Sequence, residues 1–389
     1  MSNVREKAKQ MLEKEIDPIF NEVAGLIESH LKDSKYMPWI MERLMNKDQA
    51  RILIALPDMD REESMGRLEV SEQFAKKLDM DMDTINKHIR YLYENGMLFP
   101  TRRGPQPPRS MGQWIDTQNH PAYMDKLGEE YYALIALFSD NERENRDESI
   151  AMRIESGQPA YSRIIPRWKS IENNPDMIPA DDIRALIKAQ DTFALLNCAC
   201  RIRFPDRECG VPLKTCLVLG RTAAYNIDRG AAKPITLEEA LDFVTNETVK
   251  YPTVHIGRRA TPENFSGILC NCHYDCCGVM RPSMVTHTTR YGIKEFYAPS
   301  RFRATVDPEN CVSCRVCVDE RCQFGAAQMK FYPEYGEERA YIDEEICMGC
   351  GNCVETCPAG IHGMKVVEPP ETLTDVKPRN IYGAGGQGF

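Results

Sequence analysis

Two stretches near the end of the chain repeat each other, and both place a cysteine at every third position. Ala304-x-Val306-Asp307-x-Glu309-x-Cys311-x-x-Cys314-x-x-Cys317 returns 36 residues later as Ala340-x-Ile342-Asp343-x-Glu345-x-Cys347-x-x-Cys350-x-x-Cys353. Past the triple the match continues at an offset of 35, with Cys322, Gly325 and Met329-Lys330 answered by Cys357, Gly360 and Met364-Lys365. A duplication that keeps ligand-type residues in step implies two equivalent structural units. Sixteen cysteines could instead build a secreted disulfide scaffold, but such scaffolds are short, and these thiols cluster at ligand spacings in a long chain. The opening residues, Met1-Ser2-Asn3-Val4-Arg5-Glu6, lead into a charged amphipathic stretch rather than an apolar signal core,. The longest apolar run, 131–138, is too short to span a bilayer,. A soluble cytoplasmic protein whose thiols ligate metal is expected.

The second copy, Cys347-x2-Cys350-x2-Cys353-x3-Cys357-Pro358, resembles the bacterial ferredoxin run, in which three thiolates hold one cube and the fourth is aimed at the other. The resemblance covers 304–366 and implies two [4Fe-4S] clusters. One is then held by Cys311, Cys314, Cys317 and Cys357, the other by Cys347, Cys350, Cys353 and Cys322. The first copy departs from the pattern: four residues separate Cys317 from Cys322, against three between Cys353 and Cys357, and Gln323 stands where the second copy has Pro358. A longer loop and a shifted reduction potential are the expected consequences. Gly349 and Gly351 would let backbone N–H groups approach an anionic cluster closely. Zinc favours two distant Cys-x-x-Cys knuckles, so two triples, each with a displaced fourth cysteine, suit cubes better.

Eight further cysteines form two groups, Cys198, Cys200, Cys209 and Cys216, then Cys270, Cys272, Cys276 and Cys277. Further iron–sulfur ligation is the leading expectation; zinc, and redox-active or packed thiols, remain alternatives. Arg201, Arg203, Arg207 and Arg221 bring positive charge to the first group, which would lower thiol pKa values and offset a cluster's charge. Cys276 and Cys277 are adjacent, so one can ligate while the other points elsewhere, and His273 is a candidate ligand between Cys272 and Cys276. The region 160–366 resembles a class of anaerobe iron–sulfur proteins. The features are Arg163-Ile164-Ile165-Pro166, Asn197-Cys198-Ala199-Cys200-Arg201, Ile268-Leu269-Cys270-Asn271-Cys272 and the terminal module. The resemblance implies an electron-transfer partner of an anaerobic oxidoreductase.

Upstream, Asp17-Pro18 reads as the start of a helix, with Ile16, Ile19, Phe20, Val23 and Ile27 recurring at helical spacing on one face. From 49 to 103 the order of helix, helix at 71–78, helix at 82–93, the Asn95-Gly96 turn and an extended 97–99 resembles a winged helix-turn-helix. Lys87, His88, Arg90, Arg102 and Arg103 could meet phosphates, but Asp79, Asp81 and Asp83 line the entrance to that helix. With 49 basic against 58 acidic residues and a net charge of −9, nucleic acid is disfavoured, and protein docking or homo-oligomerisation is the preferred use. Gly104-Pro105-Gln106-Pro107-Pro108 reads as a linker; 110–190 as helical with irregular connections; and Thr236-Leu237-Glu238-Glu239 as a capping box opening a helix with Leu237, Ala240, Leu241 and Val244 as its stripe. Gly383-Ala384-Gly385-Gly386-Gln387-Gly388 matches a dinucleotide fingerprint as a string but has no helix to follow it.

The expected fold is α+β and multi-domain: a winged-helix-like part (1–104), a cysteine-rich domain (105–300), a ferredoxin-like module (301–369) and a flexible tail (370–389). The expected function is an iron–sulfur electron-transfer protein or oxidoreductase subunit relaying low-potential electrons to a partner reductase. The alternatives are a reductase with its own central iron–sulfur site and a redox-sensing transcriptional regulator.

Overall fold

Helices in the first third of the chain begin where a side chain can accept their free N–H groups. The computed structural model describes residues 2–60, 62–141, 143–160, 162–204, 207–259, 261–265 and 267–374. Eight helices open it: α1 (Ser2–Met11), α2 (Ile19–Ile27), α3 (Met37–Leu44), α4 (Lys47–Ala55), α5 (Glu72–Lys77), α6 (Met82–Glu94), α7 (Met111–Ile115) and α8 (Pro121–Asn141). Asp17 accepts the N–H of Ile19 at 3.0 Å at the head of α2. Asn46 and Gln49 close a capping box on α4, and Ser71 and Asp81 cap α5 and α6. Behind these caps the apolar faces meet in one core that includes Phe20, Val23, Ile40, Leu53, Ile85 and Leu92.

The proline-rich stretch does not act as a linker. Gly104–Gln106 forms β2, paired antiparallel with β1 (Phe99–Thr101), with Pro105 opposite Pro100. In a two-stranded hairpin each strand has one unpaired side, and a proline whose missing N–H would point there interrupts no ladder. The core then continues through α7 and α8, which bury Trp114, Tyr131, Leu134 and Phe138 in it. The same core also takes in Ile202 and Tyr225 of the cysteine-rich region, and the longest apolar run is a buried helix.

The stretch 110–190 is largely helical, as expected, with Ser162–Ile165 its one strand among the described residues, and the cysteine-rich region beyond it is built on a sheet. Its strands are β3 (Ser162–Ile165), β4 (Phe193–Asn197), β5 (Lys214–Leu219), β6 (Lys233–Pro234), β7 (Val254–Arg258), β8 (Gly267–Cys272) and β9 (Tyr297–Ala298). They lie in the order β6-β4-β5-β8-β7-β3-β9, every neighbouring pair antiparallel except β3 and β9. Helices Ile183–Lys188 and Leu237–Asp242 cover one side, packing Ile183, Leu186, Ile187 and Ala240 onto Ile165, Leu217 and Leu269. The Thr236 capping box forms as expected. Ala240 and Val244 are buried, whereas Leu237 is 39% exposed and belongs to no stripe.

The last part comprises β10 (Phe302–Val306) paired with β13 (His362–Val366), and β11 (Ala327–Tyr332) paired with β12 (Glu337–Ile342), all antiparallel. Buried arginines tie the parts together. Arg229, on the loop after Gly220–Asp228, donates to the carbonyls of Glu94 and Thr117 at 2.8 and 3.1 Å, and Arg301 pairs with buried Asp181 at 2.5 Å. Of the expected tail, residues 371–374 form a short helix that buries Leu373, while 375–389, with the glycine-rich string, lie outside the described residues. No helix among the described residues is long and apolar enough to cross a membrane.

Candidate metal centres

The duplicated sequence folds as a duplicated structure. Ala304 of the first copy sends its backbone N–H to Cys347 Sγ of the second at 3.5 Å, and Ala340 of the second sends its own to Cys311 Sγ of the first at 3.4 Å. Two small cavities lie within the module. Cys311, Cys314, Cys317 and Cys357 line one; Cys322, Cys347, Cys350 and Cys353 line the other. In each, three thiols from one copy meet the fourth from the other.

The two thiol loops share a backbone shape but not an environment. Ser313 and Arg315 have φ of 56° and 63°, and the equivalent Gly349 and Gly351 have 68° and 77°. These are left-handed conformations that glycine adopts freely and other residues adopt at a cost. In the first loop Cys314 is exposed, Ser313 donates to the Glu338 carbonyl at 2.7 Å, and Arg315 pairs with Asp319. The second loop is pressed onto the sheet: the N–H of Arg167 donates to the Cys350 carbonyl at 3.0 Å, that of Ser300 to the Met348 carbonyl at 3.1 Å, and the Ser300 hydroxyl to the Gly349 carbonyl at 2.7 Å. Burial pushes the Cys350 thiol up to about 12, so holding it as a thiolate needs a compensating cation.

Gln323, the residue that departs from the proline pattern, joins the module to the central cysteines. Its amide donates to the Cys272 carbonyl at 3.1 Å and to the Pro252 carbonyl, and accepts the Tyr274 N–H at 2.7 Å. Proline could do none of this. Gln323→Leu is expected to raise amide hydrogen exchange at Tyr274 about tenfold, the loss of roughly 1.4 kcal/mol of hydrogen bonding; an unchanged rate would show that the link carries no energy.

The eight central cysteines do not fall into the two groups in which they occur along the chain. Six lie around one another in a ring in which each thiol influences the titration of its two neighbours: Cys198, Cys200, Cys277, Cys272, Cys270, Cys216 and back to Cys198. The sheet assembles it. Alternation puts Cys270 and Cys272 on one face of β8, the antiparallel register with β5 brings Cys216 beside them, and an irregularity after Leu196 in β4 turns Cys198 toward the same place. The remaining two, Cys209 and Cys276, meet separately at 3.4 Å. The adjacent Cys276 and Cys277 thus serve different neighbours.

Two of the four arginines expected near the thiols are there. Arg201, buried at 1%, donates to Cys276 Sγ at 3.2 Å, to the Asn271 carbonyl at 2.6 Å and to the Thr215 hydroxyl. Arg203 reaches Cys200 Sγ at 3.1 Å, in space open because residue 278 has no Cβ. Arg207 instead binds the carbonyls of Arg201 and Phe204, and Arg221 is exposed. His255 lies against Asn271 at 2.7 Å, and burial, with Arg167 adding to it, pulls its pKa down to about 3, so it is neutral. Two neighbours of the ring carried no sequence signal. Tyr297 places its hydroxyl 3.7 Å from Cys277 Sγ. Asp116, capping the end of the distant α7, has its pKa pushed up to about 7 by burial and then by the charge of Cys200, with Arg203 opposing.

A family model described as a 4Fe-4S dicluster domain matches residues 310–361. No curated protein and no solved structure matches the chain. The C-terminal part is an iron–sulfur module of the ferredoxin-like type within a mixed α and β chain.

Proposed function

We propose that this chain is a cytoplasmic iron–sulfur electron-transfer protein, or the electron-transfer subunit of an anaerobic oxidoreductase, relaying low-potential electrons to a partner reductase. The observation that carries this reading is the crossed thiol sets, Cys311, Cys314, Cys317 with Cys357, and Cys347, Cys350, Cys353 with Cys322, each around its own cavity. Four thiolates are what one [4Fe-4S] cluster takes, and a bound cluster supplies one-electron chemistry. The surrounding residues divide the labour. Exposed Cys314 gives the first set an edge open to a carrier protein, whereas Arg167, Ser300 and Asn352 enclose the second set against the sheet.

Protein purified without oxygen is expected to hold about eight irons and as many labile sulfides in the terminal module, and Cys357→Ser to lose about half of them. Zinc in place of iron at these sites would overturn the reading.

A second reading is favoured by the packing between the module and the central ring. Met348, Cys350 and Phe324 pack in the same apolar cluster as Cys270, Cys272 and Cys277. On this reading the ring holds a further iron–sulfur centre that the module serves, and the chain is itself a reductase. Iron beyond about eight per chain, lost on Cys272→Ser, would support it; a full complement in that variant would exclude it.

The winged-helix-like part is assigned to docking or self-association, not to DNA. Of the residues that could meet phosphates, His88 is engaged with Gln49 at 3.2 Å and Arg90 with Glu94, while Asp81 caps the helix they sit on.

A further inference from the structure

Outside both the module and the six-thiol ring, three metal-binding side chains converge: Cys209, His273 and Cys276, whose ligand atoms all lie within 4.8 Å of one another. The Cys209 and Cys276 sulfurs are 3.4 Å apart, close to the roughly 3.8 Å that two thiolates on one tetrahedral ion at about 2.3 Å would show. We propose that these three residues hold a single divalent transition-metal ion of the zinc or ferrous class, separate from the iron–sulfur sites.

Local structure has the form such a site needs. His273-Tyr274-Asp275-Cys276 is a two-residue-spaced knuckle, closed by the N–H groups of Cys276 and Cys277 donating to the His273 carbonyl at 3.2 and 2.9 Å. The imidazole is buried at 8%. Its Nδ1 is 3.4 Å from the Asp275 N–H, at the weak limit of a hydrogen bond, so the ring can turn either nitrogen to an ion. On the other side Cys209 precedes Gly210, whose φ is 62°, a tight reversal that aims the thiol inward. Asp275 fixes the two halves in register: one carboxylate oxygen accepts the N–H groups of Glu208 and Cys209 at 2.7 and 2.8 Å, and the other faces Arg281 at 3.4 Å. Asp275 is thus a positioning residue, orienting the loop that brings Cys209 to the knuckle. Arg201, donating to Cys276 Sγ at 3.2 Å, supplies the outer-shell hydrogen bond that ligating sulfur commonly receives. The division also explains the adjacent cysteines, since Cys276 serves this site while Cys277 closes the ring.

The test uses the full chain purified without oxygen, with zinc, iron and labile sulfide measured together. Cys209→Ser is expected to lose one divalent ion per chain and leave labile sulfide at its wild-type level. A fall in sulfide together with iron would overturn the proposal by making Cys209 a cluster ligand, and so would an unchanged metal content. If His273→Gln or Cys209→Ser should fail to fold, the wild-type chain decides: stripped of its labile divalent ion, it is titrated with cobalt(II). Intense visible bands of tetrahedral thiolate-bound cobalt at one equivalent support the site. Their absence, or a Cys209–Cys276 disulfide found by mass spectrometry in protein kept reduced, overturns it.

Discussion

Gly349→Ala is expected to cost about 3 kcal/mol and to empty the inner thiol set of about four irons, while Ser313→Ala, at the matching position of the other copy, changes little. Both positions are left-handed, at φ of 68° and 56°, so backbone preference alone would make them similar. Their surroundings differ. A Cβ on residue 349 would lie 2.1 Å from the Phe302 carbonyl oxygen and 2.1 Å from the Ser300 hydroxyl. The carbonyl is main chain of β10 and cannot turn aside. The loop would have to lift, breaking the bonds from Ser300 to Met348 and Gly349 and carrying Cys347 and Cys350 out of position. Ser313 already has its Cβ, and its hydroxyl faces the exposed Glu338 carbonyl. Iron analysis of both variants with thermal melting under anaerobic conditions would check this. Equal iron content in the two would mean that the inner loop is held less tightly than its packing indicates.

The terminal module was legible because its cysteines are local: each triple lies within one loop, and the duplication marks both loops as equivalent. The central ring was not legible in the same way, because its six thiols come from the N-cap and first turn of the helix Ala199–Arg203 that follows β4, from β5, from β8 and from the turn after it. The strands that gather them read as buried runs rather than alternating ones, a pattern shared with buried helices. Cys270-Asn271-Cys272 did carry the period of a strand, with Asn271 turned to the opposite face to bind His255 and the Thr215 carbonyl. The fourth thiol of the inner set illustrates a different limit. Gln323 in place of proline was visible as a departure from the repeat, but its purpose depends on Cys272 and Tyr274, about 50 residues away. Proline signals misled at Gly104–Gln106 because edge strands tolerate proline. Asp116 was unreadable for the same reason as Gln323: its partners are brought to it only by the fold.

The same dependence on distant partners makes Arg167 the side chain whose loss should be felt most widely. Arg167→Met is expected to destabilise docking of the module by about 3–5 kcal/mol, the usual cost of breaking a buried charged network by removing one member. The guanidinium, buried at 2%, donates to the carbonyls of Thr248 and Thr253 at 3.0 and 2.9 Å and to the Asn352 side chain. It also lies 3.7 Å from the carboxylate of Glu355, itself 7% exposed. Methionine would fill much of the volume but leave these acceptors without a donor. Burial raises the Glu355 pKa above its ordinary value, and Arg167 opposes that rise; without the arginine the rise would be larger. A carboxyl whose folded pKa exceeds its unfolded value binds more protons when folded, so its contribution to stability falls as pH rises. The defect of Arg167→Met should therefore be smallest at acid pH, where Glu355 is neutral in both states, and grow as pH rises above about 4.3, the ordinary value for glutamate. The pairing can be separated from the rest of the network by adding Glu355→Gln. If the stranded carboxylate is a large part of the cost, the double variant should recover stability at neutral pH and lose the pH dependence. Urea-induced loss of the module's visible absorbance, followed across this pH range, reads both effects. A midpoint equal to wild type in the single variant would show that the inner thiol loop is anchored without Arg167.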